Sequence, residues 1–172
     1  MFTHTKDKDS KDSIDSTANI NRFVKNDTDI RESLKMLDKG TISDINIRHS
    51  RYGNTTALMY QAHYGTVKSM ESLLTYKHPA LLNLQNSHGD TVLHHAVISS
   101  RDVLAKLRLL LDYGADKTIR DEDGRTVLDW ARDNSYFQNK TNNMEKTRAQ
   151  NSTKQCRPAT KILEEWQENT RR

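Results

Sequence analysis

The sequence contains a single cysteine, Cys156, among 172 residues, so no internal disulfide can stabilise the fold. Reduced thiols are the rule in the cytosol and the nucleus, and we therefore expect a cytoplasmic or nuclear location. No apolar run approaches the roughly 20 residues that a membrane-spanning helix needs. The first residues also lack the apolar stretch of a secretory signal peptide, so we expect neither membrane insertion nor secretion.

Apolar residues are also scarce, at 34% of the chain, and the mean hydropathy is -0.90. They are concentrated between residues 17 and 137, whereas residues 1–16 and 138–158 hold few side chains able to fill a core. Segments of this composition cannot bury enough apolar surface to offset their ordering entropy. We therefore predict a disordered N-terminal tail over 1–16 and a disordered insertion over 138–158.

The sequence has few of the patterns that carry chemistry. His94 and His95 are adjacent, and neighbours on a helix point about 100° apart, so they cannot readily share one metal ion. Cys156 has no base near it in sequence, the acidic run Asp121–Asp123 lacks the ligand spacing of a calcium loop and is expected to be a solvated turn, and no glycine-rich phosphate loop is present. We predict no enzyme activity, no cofactor and no metal site.

An internal repeat is the strongest signal that the sequence does contain. The block Gly89–Ala96 recurs 35 residues later as Gly124–Ala131, and Thr56–Ala62 precedes it by the same interval. Threonine can cap the helix start, while leucine and alanine three residues apart share one helical face. Each copy thus has an apolar face that only a neighbouring copy can bury, and this pattern is typical of a solenoid.

These residues resemble the ankyrin repeat, in which a turn precedes a G-x-T-x-L-H-x-A helix and a second helix ends in L-L-x-x-G-A-D, here Leu110–Asp116. The resemblance implies an all-α ankyrin-repeat solenoid of about four helix pairs with short β-hairpin fingers. The usual T-P-L proline is absent; Ala57, Val92 and Val127 stand in its place. The expected order is a capping repeat over 17–49, repeats over 50–84 and 85–119, the start of a last repeat over 120–137, and a C-terminal capping helix over 159–172.

The capping helix is inferred from Ile162, Leu163 and Trp166, which share one face. An independent or disordered tail helix is the alternative. Another open choice concerns Tyr60, His95 and Trp130, which occupy the same position in successive repeats. They could line a concave binding surface, or they could pack between neighbouring repeats.

The resemblance implies a non-catalytic protein–protein interaction module, an adaptor or inhibitor that works as a monomer and binds another protein through its fingers and concave face. We expect binding side chains at positions that the repeat pattern leaves free. These are Arg51, Tyr52, Asn54, His63, Tyr64, Ser87, His88, Asp90, Ile98, Ser99, Glu122, Asp123, Arg125, Asp133 and Asn134.

Two alternatives stay open for the function. Residues Leu82–Ile98 resemble a segment of the IκB group of ankyrin proteins, which would imply an inhibitor of a transcription factor, although the D-S-G-x-x-S motif of that group is missing. From Lys140 onward the sequence contains eight basic residues and four glutamates, so this tail carries a net charge of +4, equal to that of the whole chain. This tail could be a solvated segment or could contact nucleic acid in a nuclear or ribosome-associated factor.

Overall fold

The computed structural model of the protein describes residues 17–24, 30–76, 80–133 and 158–166. Within these ranges the secondary structure is helical and contains no β-strand, only the two isolated bridges His49–Thr55 and Arg120–Thr126. This confirms the all-α repeat solenoid that the sequence predicts. The predicted disorder of 1–16 and of 138–158 concerns residues outside the described part of the chain, except Pro158, which is helical and begins the last helix.

The helices follow one another as consecutive pairs whose members are close in sequence, except in the last pair, whose members are separated by residues 133–157. In chain order they are α1 (Thr17–Val24), α2 (Ile30–Asp38), α3 (Ala57–Tyr64), α4 (Val67–Leu74), α5 (Val92–Val97), α6 (Val103–Asp112), α7 (Val127–Arg132) and α8 (158–166). A short 3-10 turn at Ser50–Tyr52 precedes α3.

One continuous core runs through the stack. Leu58 and Leu93 are each 1% exposed, Leu128 packs against the same cluster, and the neighbouring alanines of α3, α5 and α7 are fully buried or nearly so. Helix α5 contacts both α3 and α7, because alanine at this position lets the first helices of adjacent repeats approach closely. The leucine column therefore lies in one shared environment, as the repeat pattern predicts.

A threonine is the N-cap residue of α3, α5 and α7. The residue three positions later, which can bond back to the threonine, differs from helix to helix. Thr126 accepts a hydrogen bond from the Asp129 backbone at 3.3 Å, and the Asp129 carboxylate accepts from the Thr126 backbone at 2.8 Å. In α5 the ring of His94 takes the place of the carboxylate, since its Nδ1 accepts from the Thr91 backbone at 3.1 Å. His94 is 1% exposed, and this burial lowers its pKa. It therefore acts as a neutral helix cap.

Helix α8 lies at the C-terminal end of the described stack. Ala159 and Leu163 are buried in the common core. The Lys117 ammonium donates to the Leu163 carbonyl, and Arg132 forms a 2.6 Å ion pair with Glu164. The outward residues Lys161, Glu164 and Glu165 are exposed, which gives the helix the polar outer face that a terminal element needs.

Candidate partner-binding surface

Three hairpin-like loops, called fingers below, project before α3, α5 and α7. Finger 1 is residues 46–56, finger 2 is residues 81–91 and finger 3 is residues 116–126. Each closes by a short-range backbone hydrogen bond, such as Asn86 N–H to the Asp90 carbonyl at 3.0 Å. Gly89 at the tip of finger 2 has φ of +74°, and a Cβ there would lie 2.8 Å from the Glu122 nitrogen. Only glycine fits where two fingers approach so closely.

One side chain at the base holds the shape of each of the last two fingers. Asn86 Oδ1 accepts from the backbone N–H of His88 at 2.8 Å and of Asp90 at 2.9 Å. Asp121, 35 residues later, repeats this pattern with Asp123 at 3.0 Å and Arg125 at 2.8 Å. Asp121 is only 7% exposed, so the expectation that the whole acidic run is a solvated turn is wrong at this residue.

Hydrogen bonds also connect neighbouring fingers. The Ser87 N–H donates to the Gly53 carbonyl at 2.7 Å, and the Glu122 N–H donates to the His88 carbonyl at 2.9 Å. His88 Nδ1 lies 2.9 Å from the Glu122 carboxylate, whose hydrogen bond raises the pKa of His88. The three fingers therefore form one hydrogen-bonded row.

A second set of contacts repeats along the base of this row. Arg48 Nη1 donates to the Gln85 carbonyl at 2.7 Å, and Gln85 Nε2 donates to the Arg120 carbonyl at 2.9 Å. Asn46 and Asn83 likewise accept backbone N–H groups of the following repeat, at 2.7 and 2.9 Å. Sequence reasoning missed these residues, although their spacing of 37 and then 35 residues is the signal that could have identified them.

Of Tyr60, His95 and Trp130, Trp130 packs between neighbouring repeats, edge-on to His94 of the preceding repeat, whereas Tyr60 and His95 are half-buried. Trp130 is 8% exposed, and its Nε1–H donates to Asp121 Oδ2 at 2.7 Å. The Asn86 amide lies 3.3 Å from His95 Nε2. Burial, together with the nearby His63, lowers the pKa of His95 to about 3, so that its ring is neutral near pH 7. Both rings therefore connect the first helix to the base of its own finger.

Of the predicted binding residues, seven are exposed: Arg51, Tyr52, Tyr64, Ser87, His88, Glu122 and Asp123. Five are half-buried: Asn54, His63, Ile98, Arg125 and Asp133. Asn134 lies outside the described residues.

Two of the predicted binding residues are buried, and their assignment to a free surface is wrong. Asp90 is 9% exposed because it packs at the finger base beside Asn86, and burial raises its pKa. Ser99 is 3% exposed because its hydroxyl donates to the His63 carbonyl at 2.8 Å across the repeat boundary.

The C-terminal end of α3, which carries His63 and Tyr64, is capped by the next repeat. Lys106 of α6 is fully buried, and its ammonium donates to the Ala62 carbonyl at 3.0 Å and to the Ser99 hydroxyl at 2.8 Å. The last carbonyls of a helix have no partner within it, and a cation nearby also suits the helix dipole. Lys106 and Ser99 therefore fix the rim on which Tyr64, 57% exposed, is presented.

Burial of Lys106 makes stability depend on pH. Burial lowers the pKa of this ammonium to about 8, from 10.5 in an unfolded chain. The unfolded chain therefore binds more protons between these two values, and the free energy of unfolding is expected to rise over that window, by up to about 3 kcal/mol. Thermal unfolding of the wild type and of Lys106→Met should show that the stability of the wild type increases relative to that of the variant as the pH rises. Parallel curves of melting temperature against pH for the two proteins would contradict this expectation.

Neither a metal cluster nor a membrane-spanning helix is present in the described ranges. No three histidine, cysteine, aspartate or glutamate side chains in them group closely enough to hold a metal ion. Among the helices in the same ranges, none has the length and apolar character required to cross a bilayer.

Comparison with known proteins agrees with the architecture. A family model for ankyrin repeats (three copies) matches residues 22–121, more than half of the chain. No curated protein matches the sequence significantly, so the resemblance to the IκB group rests on residues Leu82–Ile98 alone. Ankyrin repeats are generally protein–protein interaction modules. The match spans fingers 1 and 2 and the helices from α2 to α6, and the chain belongs to the ankyrin-repeat family.

Proposed function

We propose that this protein is a non-catalytic adaptor or inhibitor that binds a partner protein through its fingers and the adjoining rim of α3. The observation that carries the proposal is the finger row itself. Its tips expose Arg51, Tyr52, Ser87, His88 and Glu122, while its base is fixed by buried side chains and by hydrogen bonds between repeats. Exposed side chains that differ from finger to finger on an ordered support are typical of a recognition surface.

The stiffness of the row supports binding. Asn54 donates to the Ser87 hydroxyl at 2.9 Å, and the backbone of each finger is bonded to its neighbour. A surface that is already ordered loses little conformational entropy when a partner docks. Three adjacent fingers and the rim can offer about 800 Å² to a partner, the area of a standard interface.

The neighbouring aromatic residues extend this surface. The Tyr64 ring lies 4.1 Å from the His63 ring and 4.9 Å from the Tyr60 ring, measured between centroids. Tyrosine presents a large amphipathic area with few rotatable bonds, and it is frequent at binding hot spots. The cluster therefore offers a second contact region beside the fingers.

A capture experiment with the full chain tests the proposal. The finger variant carries Arg51→Ala, Tyr52→Ala and His88→Ala, and the control carries Lys68→Ala, Glu71→Ala and Arg108→Ala on the exposed sides of α4 and α6. We leave Arg125 unchanged because it is bonded to Asp121 at 3.2 Å, within its own finger. Bound proteins are cross-linked and quantified by mass spectrometry after both variants are shown to unfold at the wild-type temperature.

We expect a specific partner that wild type and control retain equally, with at least about tenfold less on the finger variant. Equal retention by both variants would remove the finger row from the interface. The nucleic-acid alternative depends on a basic tail that lies mostly outside the described residues, and no structural observation favours it over a protein partner.

A further inference from the structure

Finger 1 differs in charge from the two fingers that follow it. It contains two arginines, Arg48 and Arg51, and no carboxylate. Finger 2 contains one aspartate and no lysine or arginine, and finger 3 contains three basic and four acidic residues. With neutral histidines, finger 1 therefore carries +2 and the other two carry -1 each.

The cationic groups of the other fingers already have partners. Arg125 lies 2.7 Å from Asp123 and 3.2 Å from Asp121, and His88 lies 2.9 Å from Glu122. Across the described ranges, by contrast, no carboxylate lies within ion-pair distance of Arg48 or Arg51. Arg48 is bonded to the Gln85 carbonyl, whereas Arg51 extends from an exposed position at the tip. Its guanidinium is available to an external anion.

The turn that carries Arg51 is rigid. Residues Ser50–Tyr52 form a 3-10 turn, and the Thr55 hydroxyl donates to the Tyr52 carbonyl at 2.6 Å. The Tyr52 ring is edge-on to the buried ring of His49, with centroids 4.5 Å apart, and the residue remains 47% exposed. Arginine and tyrosine are both among the residue types enriched at interface hot spots.

We propose that finger 1 is the anchoring site for an acidic segment of the partner protein. A glutamate or aspartate carboxylate of the partner accepts two parallel hydrogen bonds from the Arg51 guanidinium. An apolar side chain next to that carboxylate packs on the Tyr52 ring. This inference rests on the proposed function, and it names the charge of the partner and the repeat that binds it.

The distribution of charge favours a short acidic protein segment over a nucleic acid. Residues 17–24 and 30–76 contain seven basic and four acidic side chains, whereas 80–133 and 158–166 contain eight basic and eleven acidic ones. The first set of ranges thus has a net charge of +3 and the second a net charge of -3. A polyanion that extended along the whole finger row would be attracted at finger 1 and repelled at the following fingers. A single acidic stretch that ends at finger 1 meets no such repulsion.

The test is a selection of short random peptides displayed on phage against the full chain at low salt. We expect the selected peptides to be enriched in glutamate and aspartate next to an aromatic or aliphatic residue. A selected peptide should bind Arg51→Glu at least about tenfold more weakly than wild type. The matched control Lys68→Glu, which makes the same charge change on α4, should bind within about twofold of wild type. A peptide with lysine in place of its key glutamate should regain affinity for Arg51→Glu.

Each other outcome overturns the inference. Selected peptides without acidic enrichment, equal affinity of wild type and Arg51→Glu, or failure to select any peptide would exclude an acidic segment at finger 1. Tighter binding of single-stranded RNA than of any selected peptide, lost in Arg51→Glu, would assign the finger to nucleic acid instead. In the first two cases a partner still captured through the finger row leaves the proposed function standing. Far-UV circular dichroism melts confirm that each variant is folded.

Discussion

Replacing Trp130 with alanine is expected to lower the free energy of unfolding by about 3–5 kcal/mol. The side chain is 8% exposed, and its indole lies edge-on to the buried ring of His94, with centroids 5.1 Å apart. Truncation would leave a cavity between α5 and α7. It would also remove one of the hydrogen bonds to Asp121, the residue that shapes finger 3. Thermal and urea unfolding, followed by circular dichroism, measure the loss.

The matched comparison is Tyr64→Ala, which removes an exposed aromatic side chain from the α3 rim. Its effect on stability is expected to stay within about 1 kcal/mol, because 57% of the residue is already in contact with solvent. A Trp130→Ala protein of wild-type stability that no longer binds its partner would contradict the packing role. That result would assign Trp130 to a concave binding surface instead.

Removing α8 is expected to produce the second large effect. Leu163 is fully buried and Ala159 is 1% exposed, so this helix covers apolar surface that would otherwise face water. Leu163→Ala is expected to cost about 3 kcal/mol, and a chain ending at Arg157 should lose at least as much. For a chain of this size the melting temperature should fall by about 6–12 °C. Differential scanning calorimetry of the purified variants checks both values.

The control for α8 is Glu165→Ala, a change on the outward side of the helix at a side chain that is 59% exposed. It should leave the melting temperature nearly unchanged, since surface ion pairs contribute little. Unchanged stability of the shortened chain would show that α8 does not complete the stack, and the alternative of an independent tail helix would then hold.

The repeat motif was sufficient to predict the fold because its signal is local. Gly89, Thr91, Leu93 and Ala96 each have a conformational or packing role within a few residues of chain, and the copy 35 residues later has the same roles. Periodicity of this kind fixes which face of a helix is apolar and therefore which faces must stack. Helix pairs, fingers and the leucine column all follow from it.

The binding residues were harder to predict because their environment depends on contacts between repeats. Ser99 looks like a surface serine in sequence, yet its hydroxyl reaches a carbonyl 36 residues earlier. Lys106 is fully buried, which is rare for a lysine, and the carbonyl that it caps is 44 residues away. Such pairings depend on how one repeat is positioned against the next. The helix propensities and hydrophobic pattern of a single repeat carry no information on that positioning.

The hydrogen bonds between fingers have a mechanical consequence. Ser87 is bonded to Gly53 and Glu122 to His88, so the three tips are linked in series through their backbones. A lateral force that a docked molecule applies to one tip is therefore distributed over the hydrogen bonds between the fingers, and displacement of that tip would strain several of these bonds at once. Tension on the complex is therefore shared by neighbouring repeats, and a single loop need not bear it alone.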